Sequence, residues 1–349
     1  MADYLNFPYD PELFLYQWQN EKDPTKTAML NSGAMQANGT IKNLIANGSD
    51  YYTIPFYALI GGDPVNYDGA TNIDVNEVSG KSQHGIVFGR ANSWKDRDFI
   101  RDFNSGADPM KQITSQVAKY WQKQRQTTML AILRGIYNIA DDTTDAWDEW
   151  QLHSTHIARA DAGAVGDSNK VGETTGGDAI QKAVGDASDQ FTLAIMHSKV
   201  ATNLANKQLL NFWKQTDSQG IERKLRIADW NGMTVVIDDG VPVALNEVSN
   251  ALEYTTYLMG IGALQYAPAP VDTPVEIGRN QLEDGGYNFL TTRLRETIHP
   301  NGFSFVIPDD DYTKSPTNNQ LGANAAGTSN WTIAGNPKNI AIARIVSNG

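Results

Sequence analysis

The chain has 349 residues, with 28 Lys plus Arg against 40 Asp plus Glu, a net charge of −12 and no cysteine. The missing thiols exclude disulfides, thiolate metal centres and a cysteine nucleophile. The acidic balance argues against a dedicated DNA-binding surface, because phosphate affinity comes from clustered cations that displace counterions. A negative surface suits a container for nucleic acid better than a binder of it, although solubility alone also accounts for it. With 40% hydrophobic residues, 30 glycines and 14 prolines, the composition reads as a folded, loop-rich α+β protein of one large or two modest domains. No run approaches the roughly 18 consecutive apolar residues of a membrane span. The opening MADYLNFPYDPELF lacks a basic n-region and an apolar h-region, so export by a signal peptide is not expected.

Residues 1–47 read as an arm. Tyr4, Phe7, Tyr9, Phe14, Tyr16 and Trp18 come early, after which Gly33, Gly39 and Gly48 interrupt any long periodicity. Aromatics on a segment that cannot build its own core call for a partner surface. From Tyr51 to Trp94 the alternation reads as a two-stranded β ribbon turning near Gly80, with Ile73, Val75 and Val78 before the turn and Ile86, Val87 and Phe88 after it. An isolated ribbon is marginal in water and should lie on something else, such as the next copy of the chain. Gly80-Lys81-Ser82 echoes the end of a phosphate-binding loop, but Val75 stands where that motif needs glycine. Lys81 therefore reads as a solvated tip lysine, with a covalent link to a neighbour as the alternative.

The spacing predicts one long helix over Asp108 to Asn138, about 45 Å at 1.5 Å per residue. Asp108 serves as N-cap and Pro109 occupies the first turn, where no N–H is needed. Met110, Ile113, Val117, Tyr120 and Trp121, then Met129, Leu130, Leu133, Ile136 and Tyr137, recur at steps of three and four. Between them Gln122 to Thr128 are seven polar residues, so the middle of the helix, with Arg125, is expected on a surface or a subunit boundary. The bland alternative is a core helix frayed in the middle.

Beyond it, Asp141, Asp142, Asp145, Asp148 and Glu149 read as helix-start carboxylates rather than a general acid/base pair. His153 and His156 share a helical face in this reading, but no third metal ligand is signalled. Residues 161–177 form a long loop, followed by a short helix with Ile180, Ala183, Val184 and Ala187 on one face. A strand at Phe191 to His197 and a helix from Ser198 through Leu210 and Trp213 come next. Strands are expected at Leu225 to Ile227, Met233 to Ile237 and Val241 to Ala244, with Asn231-Gly232 and Asp239-Gly240 as tight hairpin turns. Tyr254 to Met259 and Phe289 to Thr297 continue the β pattern, and Arg279, Arg293 and Arg295 are expected in solvent, with pairing across an interface as the alternative. His299 to Phe303 is a turn, Ser315 to Asn336 a polar loop, and Asn339 to Val346 a last, pinned strand.

This order of parts resembles the tailed-bacteriophage major capsid proteins of the HK97-like fold. The phrasing of DAIQKAVGDASDQFTLAIMHSKVATNLANKQLLNF (Asp178 to Phe212), NGMTVVIDDGVPV (Asn231 to Val243), HPNGFSF (His299 to Phe305) and SPTNNQLGANAAGTSNWT (Ser315 to Thr332) carries the resemblance, with NPKNIAIARIVSNG after it. It covers nearly the whole chain. The resemblance implies an N-terminal arm (1–47), an extended β-hairpin loop (48–105), a peripheral domain with the long spine helix (106–140, 254–298, 338–349) and an axial domain (141–253, 299–337). The function implied is a shell subunit that self-assembles as pentamers and hexamers into an icosahedral capsid around a double-stranded DNA genome, built in the host bacterial cytoplasm. Implied partners are other copies of the chain, a portal protein, a separate scaffolding protein, a decoration protein and non-specifically contacted DNA, with no membrane. No long scaffolding extension is expected before the arm, while processing of a precursor stays open. Inter-subunit contacts are expected at Tyr4, Phe7, Phe14, Trp18, Val75, Val78, Lys81, Ile86 and Arg125. No catalytic, cofactor or metal residue is expected. Some members link a loop lysine to an asparagine, and Lys81 lies in the matching region without an identified partner. The alternatives are an encapsulin-like compartment, which shares the fold and holds cargo proteins, and a soluble oligomeric enzyme using the carboxylates of Asp141 to Glu149.

Overall fold

The computed structural model describes residues 33–57, 64–68, 72, 80–97, 109–186, 188–216, 222–308, 314–323 and 327–349. In chain order the elements are β1 (Met35–Ala37), α1 (Gly39–Ile45), β2 (Tyr51–Tyr57), β3 (Gly80–Ile86), β4 (Phe88–Arg97), α2 (Pro109–Ile136), α3 (Asp145–Gln151), β5 (Ser154–His156), α4 (Thr175–Val184), β6 (Phe191–Met196) and α5 (Ser198–Asn206). They continue with β7 (Asn211–Thr216), β8 (Glu222–Trp230), β9 (Met233–Ile237), β10 (Val243–Asn246), β11 (Ala251–Gly260), β12 (Leu264–Ala269), β13 (Val275–Asn280) and β14 (Tyr287–Pro300). The chain closes with β15 (Phe303–Phe305), α6 (Asn318–Gly322), β16 (Trp331–Ile333) and β17 (Ile342–Ser347).

Two sheets organise these elements. One has eight strands in the order β5-β17-β11-β6-β9-β8-β7, with β10 paired to β11. The other is built on β14, which pairs with β4 along Tyr287 to Glu296 and, on its other edge, with β13 and β12 in succession. A single apolar core joins them: Ile132, Leu133 and Ile136 of α2 pack with Leu193 and Ile195 of β6, Leu264 of β12 and Ile298 of β14. A second core lies under α4 and α5 on the eight-stranded sheet.

The long helix runs over Pro109–Ile136, as its spacing predicts, while the expected cap Asp108 lies outside the described residues. Its polar middle is not a gap in the core. Thr128 is buried and donates to Gln124 O at 3.0 Å and Asn318 Oδ1 at 3.1 Å, Gln126 donates to Asp238, and Arg125 donates to Glu296. Polar side chains fill that stretch because their partners on β14, α6 and the end of β9 are polar too, which a one-dimensional pattern does not reveal.

Near its end α2 is crossed at close range. A Cβ on Gly135 would stand 2.2 Å from the Leu321 carbonyl oxygen and 2.8 Å from Cδ1 of Trp331. In an open helix Gly to Ala gains about 1 kcal/mol. Here backbone blocks the methyl, so Gly135→Ala is expected to lower stability by about 1–3 kcal/mol as overpacking does, measured by urea unfolding.

The ribbon differs from the expectation. β2 and β3 are antiparallel, but the register runs from Tyr51 opposite Ile86 to Tyr57 opposite Gly80. Gly80 therefore opens the returning strand, and residues 58–79 connect the two strands. The turn expected near Gly80 is therefore not at that residue, and Ile73, Val75 and Val78, expected on the strand before it, lie outside the described residues.

Several other expectations are corrected. The helix expected through Trp213 ends at Asn206, where Lys207 and Gln208 (φ 60°) turn the chain into β7. Asn231-Gly232, with φ of 51° and 78°, closes the β8–β9 hairpin as predicted. Asp239-Gly240 closes none, because β10 pairs with β11 instead of β9. Ser315 to Asn336 contains α6 and β16, anchored by the buried Leu321 and Trp331. His153 and His156 flank and end a strand rather than sharing a helix face. β11 and β17, expected with the long helix, sit inside the eight-stranded sheet beside β6, while α6 and β16, expected in the other domain, contact α2. Nearly continuous apolar runs such as Ile342–Val346 fit a strand covered on both faces, but nothing in such a run says which sheet receives it. The last strand is pinned as expected, with β5 on one side and β11 on the other.

Candidate subunit interface

The root of the β2–β3 ribbon is fastened by buried polar contacts. Tyr52 and Thr297 share a hydrogen bond of 2.8 Å, and the Thr297 hydroxyl lies 2.8 Å from the Ile86 carbonyl. Tyr51 donates to Phe305 O at 3.2 Å, and the His84 N–H donates to Ser304 Oγ at 3.1 Å. Gln83, also buried, accepts from the Gly302 N–H at 3.1 Å and meets Nε2 of His299 at 3.1 Å. Burial pushes the Tyr52 phenol up and the His299 imidazole down to about 4.

Away from that root, large side chains among the described ribbon residues are exposed. Tyr57, at the end of β2, is 82% exposed, and in the connection Tyr67 is 93% exposed and Val65 42%. Aromatics held this far from the subunit's own core are what an adjoining surface would cover. A second apolar projection is the β10–β11 hairpin, where Leu245 faces Leu252 and Val243 faces Tyr254 across the strands. Val243, Leu245, Val248 and Leu252 are all exposed there.

The expected contact residues fall into three groups. Tyr4, Phe7, Phe14, Trp18, Val75 and Val78 lie outside the described residues. Lys81 is exposed on β3, one residue into the strand. Ile86 and Arg125 face inward. Ile86 is 2% exposed inside the subunit's main core, so its side chain has no surface to offer a neighbour. Arg125 reaches Glu296 Oε2 at 2.8 Å through both Nε and Nη2, and Tyr266 donates to the same oxygen at 3.1 Å. The Arg125 guanidinium also lies 5.4 Å from the Tyr266 ring centre. The exposed projections at Tyr57, Tyr67 and β10–β11 were missed in the sequence, because exposure of an alternating strand depends on what the opposite face packs against.

The arginines expected in solvent, with an interface as the alternative, are engaged within the subunit. Arg293 reaches Glu276 at 2.9 Å, Arg295 reaches Asp50 at 2.7 Å and Arg279 donates to Asn288 at 3.2 Å. The acidic stretch behaves as a helix start. Asp142 accepts from the Thr144 N–H and hydroxyl, and the Thr144 hydroxyl caps α3 by accepting from the Trp147 N–H. No cluster of three metal-ligating side chains occurs among the described residues. No helix among them is long and apolar enough to cross a membrane.

Comparison with known proteins agrees with this architecture. No family model matches the sequence. The major capsid protein of Bacillus phage SPP1 is 28% identical over 318 residues, covering 90% of this chain and 89% of that protein. Two solved structures share the fold. The capsid of Ralstonia phage GP4 aligns with a TM-score of 0.55 at 11% identity, over 78% of this chain and 84% of that one. The cyanophage Pam1 capsid asymmetric unit aligns with a TM-score of 0.55 at 10% identity, over 100% and 97%. The order of parts in the sequence, the near full-length relative and the shared fold point one way: the chain has the HK97-like fold of phage capsid proteins and is similar along nearly its whole length to a phage major capsid protein.

Proposed function

We propose that many copies of this chain, as pentamers and hexamers, close into an icosahedral shell around a double-stranded DNA genome. Assembly takes place in the bacterial cytoplasm with a portal protein and a separate scaffolding protein. The subunit works by contact and catalyses nothing. The observation that carries the reading is the ribbon: its root is locked into the subunit by buried hydrogen bonds, while Tyr57 and Tyr67 beyond the root have no cover. A neighbouring copy supplies that cover, and closed symmetry lets every copy do so at once. The N-terminal aromatics Tyr4, Phe7, Phe14 and Trp18 serve the same end. The net charge of −12 keeps the shell from adhering to the DNA it encloses.

Light scattering behind size-exclusion chromatography, with electron microscopy of the largest species and scaffold supplied where the chain alone stays small, tests this. The wild type is expected to give closed shells or capsomer rings. A variant with residues 58–79 replaced by Asn-Gly keeps the root intact and is expected to remain folded by circular dichroism yet to form no shells. Normal shells from that variant would sink the overlap argument. Particles enriched in one enzyme and free of DNA would replace the phage reading with a cargo compartment.

A further inference from the structure

The cluster that fastens the ribbon contains one unsatisfied atom. Gln83 accepts the Gly302 N–H at Oε1, which fixes the amide orientation, and its nitrogen faces Asn301 Oδ1 at 3.4 Å. His299 meets that same Oε1 through Nε2 at 3.1 Å, so Nε2 carries the proton and donates. Nδ1 is then a bare acceptor. It is buried and has no hydrogen-bond partner among the described residues.

Among the described residues, the surroundings offer no charge to balance a second proton. Tyr52 of β2 lies edge-on at 6.1 Å between ring centres, with its phenol bonded to Thr297 and burial holding it neutral. Trp331 of β16 lies at 6.4 Å, and Gln265 of β12 is the residue opposite in register. On β3 the titratable neighbour His84 stacks on Tyr51 and alternates to the other face from Gln83. On β14 Glu296 is three residues away, on the opposite face, and is engaged by Arg125. Burial alone sets the low pKa of the ring, about 4.

We propose that the Gln83–His299 pair is an acid-released latch: a proton captured at Nδ1 places an unpaired charge in a dry pocket, and β3 lifts from the subunit to admit water. The sign follows from linkage. The free imidazole titrates near 6.5, so the closed latch is fully favoured above that value. It weakens as pH falls toward about 4, below which nothing further is lost. Across that window the ribbon root opens more readily by roughly a hundredfold. The latch would matter to assembly only through the capsid reading above, but its chemistry does not depend on that reading.

The absence of cysteine makes a clean test available. A spin label on Lys81→Cys, exposed and two residues from Gln83, reports motion of β3 in the full-length unassembled subunit. Label mobility is expected to rise between pH 6.5 and 4.5 and to stay flat when His299→Gln is added, since that amide can donate to Gln83 and cannot charge. His153→Gln, at the other buried imidazole, should leave the response in place. Gln83→Glu gives the imidazolium a counter-charge and should hold the ribbon closed through the same range. A flat response in the labelled parent, or an unchanged rise with either His299→Gln or Gln83→Glu, would overturn the proposal. Because the readout needs no shells, it stands or falls separately from the assembly experiment.

Discussion

Arg125→Ala is expected to destabilise the subunit by about 3–5 kcal/mol, the cost of leaving a buried charge without its partner. The Glu296 side chain is only 3% exposed and Arg125 17%, so water cannot replace the guanidinium. The remaining donor to the carboxylate would be Tyr266, whose phenol burial and Glu296 itself already push toward the protonated form. The arginine also covers the Tyr266 ring, so its stem and its charge are lost together. The pair differs from its parts. Arg125→Met combined with Glu296→Leu removes both charges and keeps the volume, and is expected to recover most of the loss, since buried ion pairs often exchange for apolar groups at little cost. Urea unfolding followed by tryptophan fluorescence measures both. A loss below about 1 kcal/mol for Arg125→Ala, the range of a surface pair, would show that the site is wet.

Trp331→Ala is expected to cost a further independent amount of about 3–5 kcal/mol, as large aromatic truncations in packed cores do. Trp331 is 1% exposed, packs edge-to-face on Phe305 at 5.0 Å and donates from Nε1 to the Leu321 carbonyl at 2.9 Å. It also lies against Gly135, so one side chain ties β15, α6 and the end of α2 together. Trp331→Phe keeps most of the volume and forfeits the hydrogen bond, and should fall by about 1–2 kcal/mol. If the two variants unfold at the same denaturant concentration, packing is not what the tryptophan contributes.

The sequence was most legible where one periodicity ran long. Val117, Trp121, Met129, Leu133 and Ile136 placed the helix, and Asn231-Gly232 placed a hairpin, because both signals are local. The ribbon's two strands were legible but its turn was not, since antiparallel register is set by the partner rather than by either strand. β12 and β13 went unread: Leu264–Ala269 is short and ends beside prolines, and it is a strand because β14 offers it an edge. Ser315 to Asn336 looked polar because Leu321 and Trp331, its two anchors, are separated by residues that stay outside. At the candidate interface, Lys81 and the ribbon were visible as unusual segments, whereas Ile86 and Arg125 were misplaced. An isolated isoleucine or arginine does not reveal whether its partner belongs to the same molecule.

The polar turn of α2 has a mechanical consequence. Arg125 fixes the helix to β14 of one sheet, and the next residue, Gln126, fixes it to Asp238 at the end of β9 in the other. Swinging the sheet of β14 about that turn breaks the buried Arg125–Glu296 pair, and swinging the sheet of β9 breaks the Gln126–Asp238 hydrogen bond. The subunit body is therefore a stiff tile. A closed surface made from such tiles must change its curvature at the joints between them, through the ribbon and the arm, and not by bending the tile.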